Sequence, residues 1–300
     1  MESLSILLVL LSAAMHAGWN AVGKRKVPTQ AYFLVTTGGG ILLLCATPSL
    51  WPAVVSGYSE TDVLLVLSAG FFQALYFSGL AGGYRAGDLS MVYPLARSVP
   101  AVAVTVGSVL LGRGAEIAPA CWIGAGMIVI GCFFVPQARF GSIRLHHFGS
   151  TPFLFAMLAA AGTTGYSLVD DTALTRLRAA HPELHPAGVT AVFSLFEVLA
   201  TAGWLSVIVL SRREGRDTLR REIRDWKRTV ATGVVIAVTY LIVLVALAFA
   251  RDVSYVVAFR QASIPIGVAI GVLFFSESLP APKVLGTLLI VTGLILVATA

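Results

Sequence analysis

The sequence predicts an all-α integral membrane protein with ten transmembrane helices, arranged as two inverted five-helix repeats. Three observations carry the prediction. Hydrophobic residues make up 57% of the 300 positions and charged residues only 12%, against about 25% charged in an ordinary soluble domain. The apolar residues fall in blocks of about 20, enough to cross a hydrocarbon core of about 30 Å as a helix, and the alternation of a membrane barrel is absent. Finally, one set of residues recurs in the same order in both halves.

The spans are predicted at about 3–23, 31–50, 62–84, 88–112, 117–136, 152–174, 188–211, 229–250, 253–276 and 281–299. The first follows Met1-Glu2-Ser3, which lacks the basic start of a cleaved leader, so it is read as a retained helix. Lys24, Arg25, Lys26 and Pro28 separate it from the second, which Pro48 and Pro52 close. The Ala86-Gly87-Asp88 step divides the third from the fourth, and Pro119 opens the fifth. A linker at 138–151 then joins a first repeat, 1–137, to a second, 152–300. Pro182 and Pro186 part the sixth and seventh spans, a basic stretch at 212–228 parts the seventh and eighth, and Pro280 and Pro282 part the last two. Cys45, Cys121 and Cys132 lie in apolar blocks and are read as small packing residues.

Charge gives the orientation. Of the 21 Lys and Arg residues, 15 lie in loops after odd-numbered spans and four in loops after even-numbered ones; Arg97 and Arg260 lie within spans. The positive-inside rule then places both termini outside the cytoplasm, in a multi-pass protein of the cell membrane, the inner membrane in a bacterium. Eight of those basic residues lie between Arg212 and Arg228. Beside apolar blocks, they point to anionic lipid headgroups and not to nucleic acid. Leu219, Ile223 and Trp226 repeat there at i, i+4, i+7, either as a helix on the membrane surface or within a solvated tether.

The internal repeat sets the architecture. Gly124 and Gly131 are matched by Gly286 and Gly293; Tyr76, Asp88 and Ser90 by Tyr240, Asp252 and Ser254; Pro100 by Pro265; and Gly18-Trp19 by Gly165-Tyr166. Five spans per half is an odd number, so the second half enters from the opposite side. In such a protein a substrate site commonly forms near the midplane between the repeats. The glycine pairs read as close helix packing.

The chain resembles the EamA-type branch of the drug/metabolite transporter superfamily. The resemblance rests on His16-Ala17-Gly18-Trp19-Asn20, on Gly87-Asp88-Leu89-Ser90 leading to Tyr93-Pro94 and Arg97-Ser98, and on Ser276-Glu277-Ser278-Leu279 before Gly286 and Gly293. It covers essentially the whole chain and implies a ten-helix permease for small organic solutes. The first half departs from the pattern, because Arg113 stands where the second half has Glu277.

Charges inside a membrane helix are costly and mark candidate sites. Arg97 lies nine residues after Asp88 and Arg260 eight after Asp252, about 13 and 12 Å along their helices. From opposite faces, both approach the midplane. Two guanidiniums there can hold an anionic or zwitterionic metabolite through bidentate pairs, or they can pair internally with Asp170, Asp171 or Glu197. Ser12, His16, Trp19 and Gly23 form one face of the first helix, and Thr163, Tyr166 and Asp170 match them on the sixth. This reads as a cavity wall. His16 is either a proton site or a satisfied core histidine. Tyr76, Tyr93, Tyr240 and Tyr255 either line the cavity or mark the interface. The expected substrate-contacting set is therefore Arg97, Arg260, Tyr93, His16, Trp19, Tyr166, Tyr76 and Tyr240, with Asp170, Glu197 and His16 as coupling candidates. No metal or cofactor motif is present, and Gly38-Gly39-Gly40 lacks the Lys-Ser or Lys-Thr of a phosphate loop.

Together these readings predict a secondary transporter working by alternating access. The alternative is an intramembrane enzyme seeded on Asp170, Asp171, His181 and His185, or a non-transporting receptor or subunit. Pro182 and Pro186 interrupt the ligand spacing an enzyme would need.

Overall fold

The computed structural model describes residues 2–23, 28–45, 51–56, 58–86, 89–141, 150–276 and 278–300; of residues 19–23, 51, 84, 89–95 and 275 it describes the backbone alone. Helix makes up 86% of the structure, and the described residues contain no strand. In order, the helices are α1 (Ser3–Gly23), α2 (Gln30–Leu44), the short α3 (Trp51–Val55), α4 (Glu60–Ala86), α5 (Leu89–Leu110), α6 (Pro119–Phe134), α7 (Thr151–Ala180), α8 (Pro186–Leu210), α9 (Arg213–Arg224), α10 (Trp226–Ala246), α11 (Val253–Phe259), α12 (Ser263–Phe275) and α13 (Ala281–Thr299).

Six segments among the described residues are long and apolar enough to cross a membrane: Glu60–Gly83, Thr151–Ala180, Pro186–Leu210, Trp226–Phe249, Val253–Phe274 and Ala281–Thr299. The protein is a multi-pass membrane protein. Four further apolar helices, Ser3–Gly18, Gln30–Leu44, Ala96–Leu110 and Pro119–Phe134, are shorter. At about 1.5 Å per residue, the 15 residues of α2 cover about 22 Å, less than a full hydrocarbon core.

The termini follow local chemistry. Thr29 caps α2 by accepting from the Tyr32 N–H at 3.0 Å, and Ser150 caps α7 from the Phe153 N–H at 3.4 Å. Proline occupies the first turn of α6, α7, α8 and α13, where its missing N–H costs nothing.

The structure refines three of the expected spans. The second is helical to Leu44; residues 46–50 lie outside the described set, and Trp51–Val55 forms the separate short helix α3. The sixth continues past residue 174 to Ala180, because no Pro or Gly stops it before Pro182 and Arg176 is held by Asp62 at 3.2 Å. The ninth keeps its extent over Val253–Phe274 but tightens midway: α11 and α12 are joined by a 3-10 turn at Arg260–Ala262. Pro265 has no N–H for the Gln261 carbonyl, and its ring crowds that carbonyl, so the turn tightens there. The basic stretch is helical over Arg213–Arg224, with Ile223 and Trp226 about half exposed.

Polarity is inverted relative to a soluble fold. Leu110, Leu273 and Phe274 are 82%, 75% and 77% exposed, whereas Asp170 and Glu197 are 0% and 1% exposed. Close packing rests on glycine. A Cβ on Gly124 would lie 2.6 Å from the Gly293 carbonyl, and one on Gly131 equally 2.6 Å from the Gly286 carbonyl. Helices α6 and α13 therefore touch backbone to backbone at two points one antiparallel register apart.

Candidate functional site

A small interior cavity of about 20 Å³ is lined by Tyr76 of α4, Arg97 of α5, Thr163 and Tyr166 of α7, and Arg260 and Gln261 of the 3-10 turn. That volume holds about one water. A larger open hollow of about 360 Å³ lies at the ends of α4 and α7, beside Arg85 and Arg212. Its Arg85 faces Glu214 at 3.6 Å on the surface, a contact of little energetic weight.

The two arginines reach the cavity by different routes. The 3-10 turn carries Arg260, and the Arg97 Nη2 donates to the Arg260 carbonyl at 3.3 Å and also to the Ser263 hydroxyl. The Arg97 Nη1 lies 3.5 Å from Nε2 of His16. Guanidinium can only donate, so this contact requires an unprotonated Nε2. His16 is also within electrostatic reach of Arg260.

Arg260 sits in an aromatic setting. Its Cζ lies 5.6 Å from the centre of the Tyr240 ring, a cation–π distance, and the Tyr166 hydroxyl faces its guanidinium. Tyr76 and Tyr166 meet edge to face at 5.8 Å, and Tyr166 and Tyr240 at 5.6 Å. The Tyr240 hydroxyl donates to Asp170 Oδ2. Behind it, Gln73 Nε2 donates to Glu197 Oε1 at 2.8 Å.

Internal ion pairing of Arg97 and Arg260 with Asp170, Asp171 or Glu197 was the other expectation. Among the described residues neither guanidinium forms an ion pair with a carboxylate. Asp171 is taken by Arg113, whose Nη2 also donates to the Thr172 hydroxyl at 3.1 Å. Asp170 is hydrogen-bonded to Tyr240, whose ring faces Arg260, and lies within electrostatic reach of that guanidinium without an ion-pair contact. Arg113, which breaks the repeat pattern in sequence, thus anchors the α5–α6 loop to α7.

Ser12, read as part of a cavity wall, and Tyr255, read as lining the cavity or marking the interface, both tie segments together. Ser12 is 3% exposed and donates to the Thr239 carbonyl at 2.8 Å, tying α1 to α10. Tyr255 is fully buried; its hydroxyl accepts from the Ala118 N–H at 3.0 Å and donates to the Glu116 carbonyl at 3.2 Å. The side chains of Trp19 and Tyr93, and Glu277 altogether, lie outside the described residues.

The structure adds Gln73, Gln261 and Ser263 to the site. Helical spacing carried part of that signal: Gln73 stands three residues before Tyr76, and Ser263 three after Arg260. Of the enzyme seed, His181 faces Glu183 at 3.5 Å and His185 accepts from the Ala187 N–H at 3.2 Å. Both belong to the α7–α8 connection, and His181 lies about 16 Å along the chain from Asp170. Among the described residues no cluster of three His, Cys, Asp or Glu side chains could hold a metal.

No protein-family model matches the chain, and no curated protein matches it. In contrast, 25 chains of solved structures match. One, described only as a crystal structure of a protein, aligns over 99% of both chains with a TM-score of 0.67 and 17% identity. At that identity the likeness concerns the fold alone.

Proposed function

We propose that the protein is a secondary transporter, carrying a small organic metabolite with an anionic group across the cell membrane by alternating access. The observation that carries this reading is the meeting of Arg97 and Arg260 at one interior cavity, without a carboxylate partner for either among the described residues. Two guanidiniums inside the membrane, neither in ion-pair contact with a carboxylate among the described residues, are expensive unless an anion completes them. Tyr76, Tyr166, Gln261 and Thr163 add the mixed aromatic and polar lining of a small-solute site.

The same reading takes the chain as ten spans in two inverted repeats, similar to EamA-type members of the drug/metabolite transporter superfamily. The packing pattern supports it. Exchanging the halves turns α1 into α7, α4 into α10, and α5 into the α11–α12 pair. Helix α1 packs on α10 and α12, and α7 packs on α4 and α5; α2 packs on α10, and α4 on α8; α6 meets α13 and α2 meets α8. Each contact has its exchanged counterpart, as a pseudo-twofold axis in the membrane plane requires.

The test has two steps. Purified protein is screened by thermal shift against amino acids, phosphonates, sugar phosphates and nucleosides, and stabilising solutes are assayed for counterflow in proteoliposomes. Saturable, protein-dependent counterflow of an anionic solute is the expected result. Conversion of a solute to product in detergent without any gradient would replace transport by the enzyme reading.

A further inference from the structure

Asp170 on α7 and Glu197 on α8 are almost completely buried, and their carboxyl groups lie within electrostatic reach of each other. Each has one hydrogen-bond donor, from Tyr240 and Gln73 respectively. Among the described residues Asp170 Oδ1 has no partner, and neither do the buried hydroxyls of Ser167 and Ser194. Each of those serines stands three residues before one of the acids, on the same helical face. This is a carboxyl pair with spare hydrogen-bonding capacity.

The charged and titratable groups around it are few. Helix α7 contributes Tyr166 and Asp171, the latter already paired with Arg113; α10 contributes Tyr240 and the 3-10 turn Arg260. Beyond Arg260 stand Tyr76 of α4, His16 of α1 and Arg97 of α5. Among the described residues Arg260 is the cation within electrostatic reach of Asp170, with the Tyr240 ring beside it. Two like charges this deep, with one counter-charge between them, do not persist together; sharing a proton removes the conflict.

We propose that Asp170 and Glu197 form a proton-carrying pair, linked through Tyr240 to Arg260, so that a proton and an anion are bound and moved together. With the cavity empty, the ionised member of the pair balances Arg260 across Tyr240. An anion on Arg260 takes over that role, and the carboxylate left without a counter-charge takes a second proton from solvent. Reciprocity makes a protonated pair tighten the anion by the same factor. The proton pair stands on its own geometry, whereas the link to an anion rests on the arginine reading above.

The test is infrared difference spectroscopy of the full chain in detergent, from about pH 5 to about pH 9, with sulfate as the anion probe. A protonated-carboxyl band is expected at neutral pH, shifted by carbon-13 labelling of the Asp and Glu carboxyls. It is lost in the double variant Asp170→Asn/Glu197→Gln, with folding checked by melting temperature. No such band in labelled wild-type protein, or its persistence in a folded double variant, overturns the pair. Sulfate binding, detected by thermal shift, should increase the band and take up protons from a weakly buffered solution, and Tyr240→Phe should reduce that uptake at least several-fold. Sulfate binding without proton uptake overturns the link. Absence of sulfate binding counts against the arginine site and leaves the band to decide the pair.

Discussion

Replacing Arg113 and replacing Arg97 should have different signatures, although each removes one guanidinium, from the α5–α6 loop and from α5 respectively. The Asp171 side chain is 11% exposed and that of Arg113 is 24% exposed, so Arg113→Gln leaves an acid in a poorly solvated place without its counter-charge. Breaking a fully buried pair costs about 3–5 kcal/mol. Water reaches Arg113, and Gln can still donate toward Thr172, so a loss of about 2–3 kcal/mol follows here. In detergent this should lower the melting temperature by about 5–10 °C. Adding Asp171→Asn should restore most of it, giving a favourable coupling in a double-mutant cycle. Arg97→Gln strands no acid: it loses donors to Ser263 and to the Arg260 carbonyl and relieves repulsion with Arg260. Its stability should stay within about 1 kcal/mol of wild type. If Arg97→Gln is as destabilising as Arg113→Gln, and neutralising Asp170 or Glu197 rescues it, the assignment of the two arginines is wrong.

Other expectations follow from single contacts. Gly131→Ala places a Cβ 2.6 Å from the Gly286 carbonyl and should cost about 1–3 kcal/mol. On the same helix Gly126→Ala meets nothing within 4 Å and should be neutral or stabilising by up to about 1 kcal/mol; equal melting temperatures would contradict the packing. Tyr255→Phe removes both hydrogen bonds to the loop before α6 and should cost about 1–3 kcal/mol, while counterflow of the intact population stays at the wild-type rate. A reporter active only in the cytoplasm should report when inserted in 212–228 and stay silent at the C-terminus, the reverse pattern refuting the orientation.

The helical, membrane-spanning class was legible because block length and low charge are properties of composition, and the glycine spacings at 124, 131, 286 and 293 anticipated the backbone contact between α6 and α13. That Arg97 and Arg260 stand well inside their helices was legible from simple rise per residue, and the structure brings both to one cavity. Their partners were not legible. Which acid meets which arginine depends on helix rotation, and Arg113 captures Asp171 from a loop that linear spacing treats as an exposed connection. The 3-10 turn at Arg260–Ala262 had a signal in Pro265, four residues after Gln261, but the apolar stretches on either side make the segment read as one helix. Ser12 looks like a cavity residue by periodicity and Tyr255 reads as either a cavity or an interface residue; both prove to be struts, because the backbone of a neighbouring segment satisfies a buried hydroxyl as well as a solute would.

The most direct measurement of the central claim is counterflow and melting temperature on the same preparations of Arg97→Lys, Arg97→Gln, Arg260→Lys and Arg260→Gln, using an anionic solute that the wild-type protein carries. A shared anion site predicts that Lys, which keeps the charge but loses the planar fork, weakens apparent affinity about tenfold, a loss of about 1.4 kcal/mol. Gln should abolish saturable counterflow at either position while the protein still melts near the wild-type temperature. Wild-type counterflow in both Gln variants would contradict the claim.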